Sequence, residues 1–291
     1  MTELRKTIHL HIGLPKTGTS AIQKAFYENP SVLSGFDVRY LQAGTQIFHD
    51  FGHHFIVMLC LGEEGMRIDS TLSRKQLEEA WAAAHEEIMA APEQNIFISS
   101  ELFALDATQP DQISQIHRVL SFNGSCNLKA VVTLRDLVSF TNSVYAQRVR
   151  DGYDGDIGEL LEFIWDSLNW KTLVDRWKAV FGEQNVTALR FEALDRNAMA
   201  DDFLRKALHL PPDGPMFPPV SQVNRSMPHS AIEFFRDLNR TFLTDQQKLA
   251  IRNQLSSALD QHNLGMKRPD FLSPEAKSIL RYHCKWPDDC I

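Results

Sequence analysis

A glycine-bounded loop near the start of the chain carries the densest chemistry. It reads Gly13-Leu14-Pro15-Lys16-Thr17-Gly18-Thr19-Ser20 and follows the apolar run Thr7–Ile12. Glycine permits a tight turn and close backbone approach. A helix-like stretch, Ala21–Glu28, comes directly after. The start of a helix offers unpaired N–H groups and the positive end of its dipole, and both favour an anion. Lys16 adds a mobile positive charge, while Thr17, Thr19 and Ser20 add hydroxyl donors. This is the makeup of a phosphate loop. It departs from the common triphosphate pattern, G-x-x-x-x-G-K-[ST]. Gly13 and Gly18 have that separation, but Thr19 stands in the lysine position and Lys16 comes three residues earlier.

A second pattern lies in KAVVTLRDLVSFTNSVYAQRVRDG. Arg135 sits where the apolar run Leu128–Leu134 gives way to a helix, and Ser143 follows eight residues later. Arginine presents a planar fork of donors that matches phosphate oxygens.

PKTGTS resembles the 5′-phosphosulfate loop of sulfotransferases that use 3′-phosphoadenosine 5′-phosphosulfate (PAPS). The strand-end arginine with its helical serine resembles the 3′-phosphate motif of the same family. The resemblance implies that Pro15, Lys16, Thr17, Gly18, Thr19 and Ser20 hold the 5′-phosphosulfate, with Lys16 on the bridge between phosphate and sulfate. It implies that Arg135 and Ser143 bind the 3′-phosphate; where the family often has proline, two residues after the arginine, this chain has Leu137. Asn224, Arg225 and Ser226 in VNRSMP are expected to close over the nucleotide or to cap the next helix. GEQNVTALRFEAL resembles a strand and acidic turn whose role is structural, so Glu192 is no site residue. The co-substrate implied is PAPS, leaving 3′-phosphoadenosine 5′-phosphate, with no metal required. The fold implied is a three-layer α/β fold of the P-loop-containing nucleoside triphosphate hydrolase type with a C-terminal helical extension.

Sulfuryl transfer to a hydroxyl or amine needs a proton acceptor near the site. NIFISSELF places Ser99, Ser100 and Glu101 at the carboxyl end of a strand-like run. Ligands of open α/β sheets bind at that end of the strands. IFHDFGHHF holds His49, His53 and His54. Glu101 and His54 are joint candidates for the base, with His53 next; alternatively Glu101 orients a histidine. His9 and His11 share one face of a strand and read as structural.

These residues need a scaffold that lines them up. Strand-like runs fall at Thr7–Ile12, Asn95–Ser100, Leu128–Leu134 and Asn185–Arg190. Each is short and apolar, as buried parallel strands are. Helix-like stretches alternate with them at Ala21–Glu28, Leu72–Ala90, Gln112–Leu120 and Asp156–Phe181. Alternation of this kind predicts an α/β fold with a mostly parallel sheet. After the proline-rich LPPDGPMFPPV come helical patterns at Ser230–Arg240, Asp245–Gln261 and Pro274–His283. The expected organisation is one domain over 1–291, with a core of about 1–215 and a helical part of about 216–291 packed on it.

Bulk properties exclude several classes. The chain has 291 residues, 30 of them basic and 37 acidic, for a net charge of −7. That disfavours nucleic acid as the main partner. No apolar run approaches the roughly 20 residues of a membrane helix, and the N-terminus makes a poor secretory signal; a cytoplasmic protein is expected. Cys60, Cys126, Cys284 and Cys290 lack metal spacing, and free thiols are expected, with a Cys284–Cys290 pair as the exception in an oxidising setting. H-E-x-x-H, calcium-loop and G-x-S-x-G patterns do not occur. Two other readings stand beside the sulfotransferase. A nucleotide-dependent kinase or NTPase would need an acidic magnesium ligand after a strand, where Asp136 is the residue on offer. A catalytically inactive nucleotide-binding protein is harder to square with Lys16. The acceptor stays open among carbohydrate, lipid and small molecule; the segment 36–70 and the C-terminal helices are expected to shape its pocket. No pattern fixes an oligomeric state.

Overall fold

Strand β1 (Thr7–Gly13) is the centre of a five-stranded sheet. The computed structural model describes residues 5–48, 51–105, 109–211, 213–218, 227–261 and 269–291. In chain order, β1 is followed by α1 (Thr19–Glu28), α2 (Pro30–Ser34), β2 (Val38–Tyr40), α3 (His54–Leu61), α4 (Arg74–Ala90) and β3 (Asn95–Ser99). Then come α5 (Leu102–Leu105), α6 (Pro110–Leu120), β4 (Asn127–Leu134), α7 (Leu137–Arg150), α8 (Ile157–Ile164) and α9 (Trp170–Phe181). The chain continues with β5 (Val186–Arg190), α10 (Met199–Leu208), α11 (His229–Asn239), α12 (Asp245–Gln261) and α13 (Pro274–His283). The strand order is β2-β3-β1-β4-β5, and every pair is parallel.

The chain divides into two compact units. The first comprises the described residues of 1–135, 170–220 and 286–291, and the second those of 136–169 and 221–285. The C-terminal helices therefore do not stand as a block after residue 215: they group with α7 and α8, and the last six residues belong with the sheet. There Ile291 N–H donates to Ala188 O at 3.0 Å, and Arg190 N–H to Ile291 O at 2.6 Å. This covers the open edge of β5, which would otherwise present unpaired backbone groups.

In the first unit, helices flank the sheet on both faces. Ile8, Leu10 and Ile12 of β1 are fully buried, and the alternating His9 and His11 point the other way, as the period of a strand requires. His9 stacks on Phe97 at 6.0 Å between ring centroids, and His11 lies 4.5 Å from the ring of Phe203. That face carries one core, built from Ile22 and Phe26 of α1, Phe97 of β3, Leu189 of β5 and Phe203 and Leu204 of α10. Both histidines are structural, as expected from their shared face.

In the second unit, Tyr145, Val149, Leu160, Ile232, Phe235 and Leu238 form a separate core. Asn239 Nδ2 donates to Val149 O at 2.8 Å and Tyr153 O at 2.9 Å, tying α11 to the end of α7. Asp136 caps α7 by accepting from Ser139 N–H at 2.9 Å.

One local expectation needs correction. Asp156–Phe181 is not one helix. α8 ends at Ile164, whose carbonyl accepts from Ser167 Oγ at 2.6 Å, and α9 begins at Trp170. Ser167 and Asn169 compete for backbone groups, which breaks a helix even under a continuous apolar stripe. The segment 36–70, expected to shape the acceptor pocket, contains β2 and α3, and its Tyr40 and Phe55 are core residues. Among the described residues the four cysteines form no disulfide.

Candidate functional site

The loop after β1 is held from within. β1 and β4 stay in register to Gly13 and Thr133, and Leu14 N–H then donates to Thr133 O at 3.3 Å. The fully buried Thr17 donates from Oγ1 to Leu14 O at 2.6 Å, and that oxygen lies 3.2 Å from Thr19 Oγ1. The Thr17 hydroxyl thus shapes the loop from inside, and Ser20 offers the exposed hydroxyl.

Two residues of the loop are left-handed, Lys16 with φ 67° and Gly18 with φ 78°. Turns of this kind build the amide concavities that bind anions. Gly18 is the N-cap of α1, which has no acidic residue in its first turn and no side-chain cap. The first amides of a helix have no acceptor inside it, so an anion fits here both by hydrogen bonding and by the helix dipole. Gly18 is also required sterically. A Cβ there would fall 2.5 Å from Met199 Sδ and 3.1 Å from Phe191 Cε2. We expect Gly18→Ala to lose about 2 kcal/mol of stability, about 1 from the left-handed backbone and the rest from overpacking. Urea unfolding checks this, and Gly18→Ala/Met199→Ala should recover the steric part alone.

Arg135 joins the loop from the end of β4. Its side chain is buried, and Nη1 donates to the carbonyl of Lys16 at 2.6 Å. The guanidinium carbon stands 5.4 Å from the centroid of the Phe191 ring, and Nε lies 4.0 Å from Glu192 Oε1. The Arg135 carbonyl accepts from Trp170 Nε1 at 2.7 Å. The two sequence motifs therefore meet at one atom, the oxygen of the left-handed Lys16. Glu192, read as structural, borders the same guanidinium. Ser143 lies half-buried on α7 in the second unit. Asn224, Arg225 and Ser226 lie outside the described residues, as does His49.

The base candidates separate clearly. His53 is fully buried. Its Nε2 donates to Leu41 O at 2.7 Å, and its Nδ1 accepts from Ser99 N–H at 3.0 Å. Burial pushes its pKa down to about 4. His53 pins the start of α3 to β3 and has no ring nitrogen left for an acceptor proton. His54, one residue on, is partly exposed. Its Nδ1 lies 2.7 Å from Ser100 Oγ, and its Nε2 lies 3.8 Å from Glu101 Oε2.

Glu101 stands just past the end of β3. The register His11↔Ser99 between β1 and β3 puts it at the carboxyl edge of the sheet, the edge from which the loop after β1 rises. Gln23 of α1 is buried and reaches across: Nε2 donates to Ser99 Oγ at 3.1 Å and, at a longer 3.4 Å, to Glu101 Oε2. Behind it, His11 bridges Ser99 Oγ (2.9 Å) and Thr133 Oγ1 (3.1 Å). Gln23 escaped the sequence reading. The available signal was its spacing, four residues after Thr19 and so on the same face of α1.

Among the described residues, no group of three or more His, Cys, Asp or Glu is placed to hold a metal ion, and no helix is long and apolar enough to cross a membrane. No family model matches the chain, and no curated protein matches it. A solved structure from the PezAT chromosomal toxin–antitoxin system of Streptococcus pneumoniae superposes with a TM-score of 0.35 at 11% identity, covering 87% of this chain and 89% of that one.

Proposed function

We propose that the chain is a sulfotransferase that moves the sulfuryl group of PAPS to a hydroxyl or amine, on a fold of the P-loop type. The observation that carries this reading is the Arg135–Lys16 contact, which draws two separately recognised phosphate motifs into one site. The residues present fit a nucleotide with two phosphate groups. The uncapped start of α1 and Lys16 suit the 5′ side, and the guanidinium of Arg135 suits the second phosphate. The assignment of Ser143 to that second phosphate rests on its spacing from Arg135.

PAPS would supply a sulfuryl group on a phosphate leaving group. The work of the chain is then electrostatic and positional. Lys16 and the amides of the loop stabilise charge as it develops on the departing phosphate. The base candidates His54 and Glu101 stand at the same edge of the sheet, where a carboxylate or imidazole takes the proton of the attacking hydroxyl.

The experiment is transfer of radiolabelled sulfate from PAPS to a panel of glycans, lipids and phenols. We expect label on at least one acceptor class and none with Lys16→Ala. Transfer unaffected by Lys16→Ala, or magnesium-dependent turnover of ATP in its place, would contradict the proposal.

A further inference from the structure

Glu101 is approached by two polar chains. Both start at the serines that close β3. Ser99 Oγ accepts from Gln23 Nε2 at 3.1 Å and lies 2.9 Å from His11 Nδ1. His11 Nε2 lies 3.1 Å from Thr133 Oγ1. The amide of Gln23 is oriented, because an ionised carboxylate accepts and never donates. Its NH₂ group must face Glu101 Oε2.

The second chain mirrors the first. Ser100 Oγ accepts from Leu102 N–H at 3.2 Å, and Ser100 is fully buried. Its oxygen lies 2.7 Å from His54 Nδ1. With that hydroxyl donating, a neutral His54 carries its proton on Nε2, the nitrogen 3.8 Å from Glu101 Oε2. Gln23 Nε2 and His54 Nε2 thus both lie near the same oxygen, at 3.4 Å and 3.8 Å.

We propose that Gln23 and His54 are positioning residues that hold the Glu101 side chain through Oε2 and so orient it to accept a proton. The role of Glu101 as base rests on the sulfotransferase reading; the clamp itself rests on geometry alone. It assigns the base to the carboxylate and makes His54 its partner. It also gives α1 two tasks. The helix offers its first turn to the phosphosulfate, and one turn later its Gln23 holds the carboxylate. Among the described residues, the titratable groups whose contacts reach Glu101 include His54 of α3 and, through Ser99, His11 of β1. Burial takes His11 down to about 3, so it stays neutral and contributes no charge.

The test is an NMR titration of the full chain, following the carboxyl carbon of Glu101 and the ring nitrogens of His54. In the unaltered chain above neutral pH, His54 should show the Nε2-protonated tautomer. In Gln23→Leu, the carboxyl-carbon shift of Glu101 should move, because a donor to Oε2 is gone. In Glu101→Gln, the His54 midpoint should fall, because a neighbouring anion is gone. An Nδ1-protonated His54, or a Glu101 carboxyl-carbon shift unmoved in Gln23→Leu, would overturn the clamp. The tautomer decides the matter even if the leucine variant fails to fold. The titration needs no nucleotide, so its failure overturns the clamp alone. A failure of 3′-phosphoadenosine 5′-phosphate to bind overturns the sulfotransferase reading alone.

Discussion

Arg135→Ala will lower the melting temperature and remove nucleotide binding in one step. The arginine is 6% exposed and braces the loop through the Lys16 carbonyl. Its removal leaves that carbonyl without the donor and opens a gap over Phe191. A lost hydrogen bond from a charged donor costs about 1.5–3 kcal/mol, and truncating a buried charged group reaches the upper part of that range. We expect about 3 kcal/mol, which in a chain of this size lowers Tm by roughly 6–12 °C. The loop loses more than a brace. Lys16 holds a left-handed backbone, which a non-glycine residue adopts only at a cost. Without Arg135 the loop should relax, and the anion site with it. Arg135→Lys separates the two roles. It keeps the charge and loses the planar fork, so part of the stability should return while the nucleotide still fails to bind. Calorimetric melting and nucleotide titration on both variants check this. An unchanged Tm in Arg135→Ala would show that the brace does not matter.

The second large effect is acid sensitivity from three buried histidines. Burial lowers His9 to about 4, His11 to about 3 and His53 to about 4. In the unfolded chain each returns to about 6.5. The unfolded state therefore binds more protons at any pH below that value, and protons favour unfolding. The stability from keeping these rings neutral is fully present above about pH 6.5 and is lost as pH falls towards 4. Between pH 7 and pH 5 each histidine costs about 2 kcal/mol by this linkage, or about 5–6 for the three together. The carboxylates held low do not blur this window. Asp289 is held below the usual range chiefly by its hydrogen bond to Lys178, and Asp270 chiefly by its bond to Lys277. Their contribution is present above the ordinary carboxylate pKa and fades only below it. Urea unfolding at pH 7, 6 and 5 should show the midpoint falling steadily, and His9→Phe should flatten that slope by about a third. A midpoint that stays constant from pH 7 to 5 would contradict the burial of these rings.

What the sequence revealed and what it hid divide by locality. The loop between β1 and α1 was legible because strand, glycines, lysine and helix follow one another within 22 residues, Thr7–Glu28. Four of the five strands were legible as short apolar runs. β2 was not, because Val38-Arg39-Tyr40 is three residues with a charge in the middle. α3 was hidden for the opposite reason. HFIVMLCL is apolar on all sides and so lacks the periodic stripe that marks a helix at the surface. The division of labour between His53 and His54 was beyond a sequence reading. Adjacent in the chain, they end on opposite sides of a helix start, one pinned to backbone atoms of Leu41 and Ser99, the other beside Glu101. The clamp on Glu101 draws on α1, α3 and the end of β3 at once, and no local pattern encodes that meeting. Met199 and Phe191 are hidden in the same way. They wall the space beside Gly18 from residues far along the chain.

The most direct measurement is calorimetric titration of the full chain with 3′-phosphoadenosine 5′-phosphate. The account predicts one site with micromolar affinity, weakened at least tenfold in Lys16→Ala and lost in Arg135→Ala. A chain that takes up no heat with the nucleotide at high micromolar concentration, or that binds it equally well without Lys16, would contradict the central claim.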